Sequence, residues 1–328
     1  MPLLGLLGLC VCALACGPAV VDLGARDGAS ADSVAGALAP VGGAAGDGAA
    51  GLAGAGSGGA GSGPAAIGGA GSAVAVANDA GPAMGPDAGV PVSGADPSAG
   101  CGMQPSAADG SITNNGSTAR YIVDRPTAYD RSKPYPLVFS FRGANVSLAA
   151  FRRSLDLTTA VGADGIVVTV DCANGAGMWD LQRDALVFDA LLAKLENTYC
   201  IDRRRIFVVG HETGAIFANV LACMRPGVLR GLGSLSGVAP QGVCPGKLAA
   251  WISQGNADMT RVLGRANREF WVQQNQCNAS SSVPVEPAPC VEFTGCEMGR
   301  PVRYCEYDGN QEIPSFAASA IWTFLRGL

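Results

Sequence analysis

The feature that most constrains the fold is the segment at residues 210–214, which reads Gly-His-Glu-Thr-Gly. An apolar run at residues 206–209 precedes it and predicts a buried strand. The stretch at residues 213–223 predicts a helix. The two glycines allow a tight connection between these elements, so the sequence predicts a strand, a sharp turn and a helix, with Glu212 in the turn.

The chemistry of this turn is incomplete. With serine at its centre, such a frame is a nucleophile elbow, and the serine needs a histidine from elsewhere in the chain. Glu212 stands at the centre, and His211 is the only histidine among the 328 residues. A carboxylate can attack an ester, but the resulting anhydride would need an activated water. We expect His211 to be structural and to point away from the pocket beside Glu212.

The composition changes sharply near residue 100. Residues 1–100 contain no aromatic side chain, one basic residue and seven acidic residues, which gives a net charge of −6. The remaining 228 residues carry 21 basic and 20 acidic side chains. We therefore predict one folded domain, at residues 101–328. Residues 17–100, rich in Gly, Ala, Ser and Pro, are predicted to form a disordered tether with a reach on the order of 50 Å.

The first sixteen residues are a short apolar run typical of a secretory signal. It ends in Ala-Leu-Ala-Cys-Gly at residues 13–17, which is similar to the lipobox of bacterial lipoproteins. This pattern predicts acylation of Cys16 and a location at the cell surface or outer membrane, with membrane contact through that anchor alone. An ordinary signal peptide cleaved nearby, and an extracellular location, is the alternative.

Nine cysteines lie after residue 100. In an exported chain with one histidine, this density favours disulfides over metal ligands, and an odd number leaves at least one thiol unpaired or bonded to another molecule. The spacing of Cys290 and Cys296 would allow a short loop closure, which a Cys277–Cys305 bond would enclose. The full connectivity stays open at this point.

Strand and helix patterns alternate along residues 119–325, which predicts an α/β protein with a mainly parallel sheet. The predicted strands are residues 120–125, 136–141, 165–170, 202–210, 232–237 and 249–255, and the predicted helices are residues 148–160, 180–199, 213–223 and 316–325. The domain is nearly neutral and lacks a basic stripe with interleaved aromatic residues, which argues against nucleic-acid binding. We expect no metal and no cofactor, since the carboxylates are scattered.

Residues 101–328 resemble the secreted esterases related to polyhydroxybutyrate depolymerases, feruloyl esterases and acetylxylan esterases. That resemblance implies a three-layer α/β-hydrolase fold. The segments that carry it are residues 133–139, 179–180, 199–207, 222–226, 236–237, 255–258, 271–277 and 307–316.

The resemblance also implies a site. Glu212 stands where the family has its nucleophilic serine, and Asp258 keeps the position of the catalytic acid. The catalytic histidine is replaced by Gln311, or by Asn310 if the alignment slips by one residue. The oxyanion-hole region corresponds to Arg142, Gly143 and Thr213, with Arg142 in place of a histidine.

Three hypotheses follow from these replacements. Arg142 and Glu212 are expected to form an ion pair in the old active site. Trp179 is a candidate for one wall of a substrate groove. The chain is expected to be catalytically inactive and to act as a surface binding or structural module for a polyester, polysaccharide or protein ligand. The alternative is an active ester or polymer hydrolase that uses the carboxylates of Glu212 and Asp258.

Overall fold

The structure is a computed structural model that describes residues 94–105, 109–242 and 244–328. The expectations for the first sixteen residues, for lipidation of Cys16 and for nearly all of the tether lie outside these residues. No helix within the described ranges has the length and apolar character that crossing a bilayer requires.

The centre of the domain is a sheet whose middle strands are mostly apolar and buried. Every residue of β3 (Tyr135–Phe141) and of β4 (Ile166–Val170) is buried, and β3 pairs in parallel with both β4 and β5 (Ile201–His211). Strands that are buried on both faces require covering layers on both sides of the sheet.

Ten strands form one sheet in the order β1-β2-β4-β3-β5-β6-β7-β10-β9-β8. The central pairs are parallel, and antiparallel pairs close both edges. The mainly parallel α/β sheet predicted from the sequence is therefore confirmed. The other strands are β1 (Gly110–Asn114), β2 (Ser117–Asp124), β6 (Gly231–Leu235), β7 (Ala249–Gly255), β8 (Asn278–Pro284), β9 (Cys290–Thr294) and β10 (Val302–Tyr307).

Helices cover both faces of this sheet. One apolar cluster packs the sheet against α3 (Arg183–Thr198), α4 (Thr213–Met224) and α5 (Arg261–Gln274). A second cluster lies on the opposite face, against α1 (Leu148–Leu155), α2 (Leu157–Val161) and α6 (Ala317–Arg326). This arrangement gives the three layers that the resemblance implied.

Some elements differ from the sequence expectations. The helix predicted at residues 148–160 is two helices, because Asp156 has a left-handed conformation with φ of 49°. Strands β1, β8, β9 and β10 and helix α5 were not predicted. Strand β8 is largely exposed and contains three consecutive serines, so it has no apolar alternation by which a sequence reading could find it.

The disulfide pattern corrects one hypothesis and confirms another. Cys290 bonds to Cys305, its direct partner in the antiparallel β9–β10 register, so the proposed 290–296 and 277–305 pairs are wrong. Cys277 bonds to Cys296 instead. The expected unpaired thiol is confirmed as the buried Cys172. The remaining bonds are Cys101–Cys200 and Cys223–Cys244.

Candidate active site

The turn at Glu212 has the geometry that its sequence predicts. Strand β5 ends at His211, helix α4 begins at Thr213, and Glu212 between them has φ of 50° and ψ of −117°. The flanking glycines allow close approach of the backbone. A Cβ on Gly210 would lie 2.2 Å from the Gly214 oxygen, and one on Gly214 would lie 2.2 Å from the Phe141 oxygen. Both positions therefore require glycine.

The Glu212 side chain lies against the loop that follows β3. A Cβ built on Gly143 would be 2.6 Å from Glu212 Oε2 and 3.2 Å from Glu212 Cβ, so the carboxylate packs on the bare Cα of Gly143. Glu212 is half-buried, and its carboxylate forms no hydrogen bond or ion pair with the residues that the structure describes. The start of α4 favours a negative charge at this position.

Arg142 does not pair with Glu212, so the ion-pair hypothesis is wrong. Its guanidinium binds Asp171 instead, with Nε 2.7 Å and Nη2 2.6 Å from Asp171 Oδ1. Both side chains are buried, at 5% and 1% exposure, and Asp171 directly follows β4, the strand beside β3. A buried guanidinium requires a close anionic partner, and that partner is Asp171 and not Glu212.

The same guanidinium holds two loops together. Arg142 Nη1 donates to the Gly143 oxygen at 3.0 Å, and Nη2 donates to the Gly175 oxygen at 2.7 Å. Thr213 Oγ1 donates to the Gly177 oxygen at 2.7 Å, which ties the start of α4 to the same loop. Arg142 therefore braces the wall of the pocket and does not project into its mouth.

The backbone around this wall keeps donors that an oxyanion hole would use. The N–H groups of Thr213 and Ala144 donate to no acceptor within the described ranges. The Glu212 carboxylate lies beside them, against Gly143. A negative charge at this place opposes the development of an oxyanion.

Trp179 braces the loop after β3. Its indole N–H donates to the Arg142 oxygen at 3.1 Å, and its ring stacks on Phe217 with centroids 4.5 Å apart and an interplanar angle of 9°. Phe141 meets the ring edge-on at 5.2 Å. One face of the half-buried indole is thus covered by Phe217, and the expected role of Trp179 in a substrate groove stays a prediction.

Asp258 is buried at 2% exposure and is saturated with hydrogen bonds. Its Oδ1 accepts from the backbone N–H of Thr260 at 2.7 Å and from Thr260 Oγ1 at 2.9 Å. Its Oδ2 accepts from Gln254 Nε2 at 2.6 Å. The acid at the family's catalytic position is therefore held in place by three donors.

Gln311 connects to Asp258 through Thr260. Gln311 Nε2 donates to Thr260 Oγ1 at 3.3 Å, and that hydroxyl donates to Asp258. Asn310 is exposed, and its backbone N–H donates to Glu312 Oε2 at 2.8 Å. The side chain that faces the acid is that of Gln311, an amide that cannot act as a general base.

His211 has the structural contacts expected of it. Its Nε2 atom lies 2.6 Å from the backbone oxygen of Gln311, and because a carbonyl only accepts, Nε2 carries the proton. Its ring stacks on Phe151 with centroids 6.5 Å apart and an interplanar angle of 15°. The imidazole is therefore engaged with the neighbouring loop and with α1.

Two residues that support the site were missed from the sequence. Thr260 links Asp258 to Gln311, and its position two residues after an aspartate was the available signal. Tyr307 holds the loop of Gln311 by donating to the oxygens of Asn310 at 3.0 Å and Glu312 at 2.5 Å. Burial raises the pKa of Tyr307 to about 12. No sequence pattern marked this tyrosine.

Metal ligation has no candidate in the part of the chain that the structure describes. No group of three or more His, Cys, Asp or Glu side chains is arranged there to hold an ion. The eight cysteines in disulfides are already bonded, and the Cys172 thiol is buried.

The chain is similar in sequence to several feruloyl esterases. Feruloyl esterase D of Neurospora crassa is 27% identical over 267 residues, which cover 71% of this chain and 91% of that protein. Feruloyl esterase C of Emericella nidulans is 29% identical over 256 residues, which cover 71% and 92% of the two chains. No protein-family model matches the chain.

The fold has relatives of known structure. An acetyl xylan esterase from Aspergillus awamori superposes with a TM-score of 0.56 at 12% sequence identity, over 68% of this chain and all of that one. At this identity the similarity bears on the fold alone. The chain is therefore similar in sequence to feruloyl esterases over most of its length, and it has the α/β-hydrolase fold.

Proposed function

We propose that this chain is an exported, catalytically inactive member of the esterase family that acts as a binding or structural module at the cell surface. The observation that carries the proposal is the pair Glu212 and Gln311. The resemblance implies that they correspond to the family's nucleophile and base positions, and they lie on the turn after β5 and on the loop that follows β10. A polyester, a polysaccharide or a protein is the proposed ligand class.

The chemistry of the two replacements supports the loss of esterase activity. An ester hydrolase of this kind needs a hydroxyl that a neighbouring imidazole deprotonates. The only imidazole of the chain donates to the Gln311 backbone oxygen. The Glu212 carboxylate also adds a negative charge where an oxyanion would form.

The alternative, hydrolysis by the carboxylates of Glu212 and Asp258, has less support. Such a mechanism needs one carboxyl group that can exchange a proton with substrate or water. Asp258 is 2% exposed, and both of its oxygens accept hydrogen bonds from Gln254 or Thr260. This alternative remains an outcome of the following test.

The test compares hydrolysis of short p-nitrophenyl esters by the full chain and by its Glu212→Ala and Glu212→Ser/Gln311→His variants. We expect the natural chain and Glu212→Ala to be equally inactive. We expect the double variant to exceed each of its single variants by at least about 100-fold, since a positioned general base typically contributes that much. Arg142 is left unchanged because it pairs with the buried Asp171.

Enzyme-like turnover by the natural chain that disappears in Glu212→Ala would overturn the proposal in favour of the carboxylate hydrolase. The same conclusion would follow if the natural chain hydrolyses the esters while the double variant and both of its single variants are inactive. Binding to insoluble polyester and to xylan, measured by depletion from solution, then tests the module function. Gln311→Ala should weaken any such binding at this site, whereas Arg153→Gln on α1 should not.

Export and anchoring are a separate part of the proposal. Four disulfides are typical of a chain that matures outside the reducing cytosol, which supports export. Acylation of Cys16 is proposed from the lipobox-like segment at residues 13–17. Metabolic labelling with a fatty-acid analogue should mark the natural chain and not its Cys16→Ser variant. Equal labelling of both would rule out an anchor at Cys16.

A further inference from the structure

A second surface feature lies at the end of the sheet opposite Glu212. The N-terminal ends of β3, β4 and β5 and the C-terminal end of α6 enclose an open cleft of about 440 Å³. We call it the basal cleft. Pro134, Pro136 and Trp322 contribute its walls, and its charged residues are Lys133, Asp164, Arg205 and Arg326.

The basal cleft has an excess of positive charge. Lys133, Arg205 and Arg326 line it together with one acid, Asp164, and none of these cations forms an ion pair with a carboxylate among the described residues. Lys133 Nζ lies 4.8 Å from the centroid of the Tyr135 ring, and Arg205 Nη2 donates to the Arg326 backbone oxygen at 3.3 Å. Both contacts leave donor hydrogens of the cations free for an anion.

The chain enters the domain beside this cleft. Arg204 Nη1 donates to the Gly94 oxygen at 2.7 Å, and the Arg203 backbone N–H donates to the Asp96 oxygen at 2.9 Å. Arg204 directly precedes Arg205, which lines the cleft. The first described residues, from Gly94 onward, therefore lie beside the part of β5 that contributes Arg205 to the cleft.

The cleft and the esterase-like site face opposite directions. Strand β3 begins next to Lys133 at the cleft and ends at Phe141, beside Arg142 and Gly143. A seven-residue strand at about 3.3 Å per residue separates the two regions by roughly 20 Å. A surface that contacts the cleft would leave the site of Glu212 open to the surroundings.

From these observations we propose that the basal cleft docks the domain on an anionic phospholipid surface, with headgroup phosphates bound by Lys133, Arg205 and Arg326. Guanidinium and ammonium groups bind phosphate oxygens through charge-assisted hydrogen bonds. A lipid surface presents many phosphates in one plane, which suits three cations around an open cleft. The acids of the preceding segment are single aspartates spread along the sequence, and one of them, Asp27, follows Arg26, so they match the cluster less well.

The test uses the full chain carrying Cys16→Ser, so that an acyl group plays no part. Its partition onto phosphatidylglycerol-containing vesicles is compared with that onto phosphatidylcholine vesicles by co-sedimentation. The variant Lys133→Gln/Arg326→Gln should bind the anionic vesicles about 30-fold less tightly, since each cation near such a surface contributes about five- to six-fold. Arg153→Gln/Arg261→Gln is the matched control, because it removes two exposed cations elsewhere and should bind as the parent does.

Several results would overturn the proposal. One is equal binding to anionic and neutral vesicles, and another is an equal loss in the basal and control variants. A third is that inorganic phosphate releases the protein from the vesicles far more effectively than chloride does at the same ionic strength. That result would indicate a site for small anions. A change of oligomeric state in the basal variant without a change in vesicle binding would indicate a second copy as the occupant. Circular dichroism of each variant verifies folding, and none of these measurements depends on hydrolysis.

Discussion

His211 Nε2 lies 2.6 Å from the backbone oxygen of Gln311, so the chain's single histidine joins the elbow to the loop that follows β10. In a working member of the family, a histidine from that loop would reach toward the elbow. Here an imidazole from the elbow holds the loop instead. The contact is structural, and it holds the turn and the loop together.

We predict that His211→Ala lowers the free energy of unfolding by about 1–2 kcal/mol. The substitution removes one hydrogen bond and the stacking on Phe151, and it leaves the Gln311 oxygen without this donor. Urea denaturation measures the change. Gln311→Ala is the matched control, because the bond uses the backbone oxygen, and it should cost clearly less. An equal cost for both variants would contradict the assigned contact.

We predict that Gly143→Ala destabilises the domain by about 1–3 kcal/mol, since the new Cβ would lie 2.6 Å from Glu212 Oε2. Two of the three nearest atoms belong to Glu212, so Glu212→Gly in the same chain should recover part of the loss. A double-mutant cycle by chemical denaturation measures this coupling. Gly327→Ala, where a Cβ would meet only ordinary contacts beyond 3.4 Å, should change stability little. Absence of coupling between residues 143 and 212 would contradict the packing described here.

The backbone of Glu212 leads to a third prediction. Its φ of 50° with ψ of −117° is a conformation that glycine adopts more easily than other residues. Glu212→Gly should therefore be more stable than Glu212→Ala by about 1 kcal/mol. The same pair of substitutions at Glu196, inside α3, should give the opposite order, because glycine costs about 1 kcal/mol relative to alanine in a helix. Thermal and urea unfolding of the four variants measure the difference in stability between glycine and alanine at each position.

The raised pKa of Tyr307 predicts that the folded protein becomes less stable at alkaline pH. Burial raises its pKa in the folded protein to about 12, above the ordinary value of 10.0. Below pH 10 the phenol is neutral in both states and its contribution is complete. Above pH 10 the unfolded chain loses this proton first, so stability falls as the pH approaches the folded pKa.

The measurement is the difference in unfolding free energy between the natural chain and Tyr307→Phe. The advantage of the natural chain should shrink by about 1 kcal/mol between pH 10 and pH 11, one pH unit of linkage for one proton. Other tyrosines titrate in both proteins and cancel in the difference. A difference that stays constant across this range would contradict a raised pKa at Tyr307.

The disulfide pattern is open to a direct chemical test. Mass spectrometry of peptides from the unreduced protein should find Cys277 bonded to Cys296 and Cys290 bonded to Cys305. Cys172 should react with a thiol reagent only after denaturation, because it is buried. A peptide that links Cys290 to Cys296 would contradict the β9–β10 register. Rapid labelling of Cys172 in the native protein would contradict its burial.

Several features of the site could be found from the sequence because they are local. Residues 210–214 predict the turn, since two glycines between an apolar strand and a helix leave few other conformations. The continuous apolar runs that became β3, β4 and β5 predict strands covered on both faces. Strands β8 and β9 had no such signal, because they lie at one edge of the sheet and carry no continuous apolar run.

The partner of each polar side chain could not be predicted from the sequence in this way. Arg142 and Glu212 were expected to pair because both belong to the site, yet Arg142 binds Asp171 across the neighbouring strand ends. Likewise, Cys290 faces Cys305 because an antiparallel register brings them together, although Cys296 is nearer in sequence. Sequence spacing does not measure distance between strands of a sheet.

The sequence by itself determined the fold class, the elbow and the presence of an unpaired cysteine, and it led to the proposal that Glu212 and Gln311 replace a serine and a histidine. These depend on residue identity and on periodicity along one stretch of chain. Only the tertiary structure decided that Arg142 is committed to Asp171, that Thr260 links Gln311 to Asp258 and that His211 holds the loop of Gln311. The reason is physical: hydrogen bonds and ion pairs form between side chains that are close in space, and the packing of strands and helices sets that closeness.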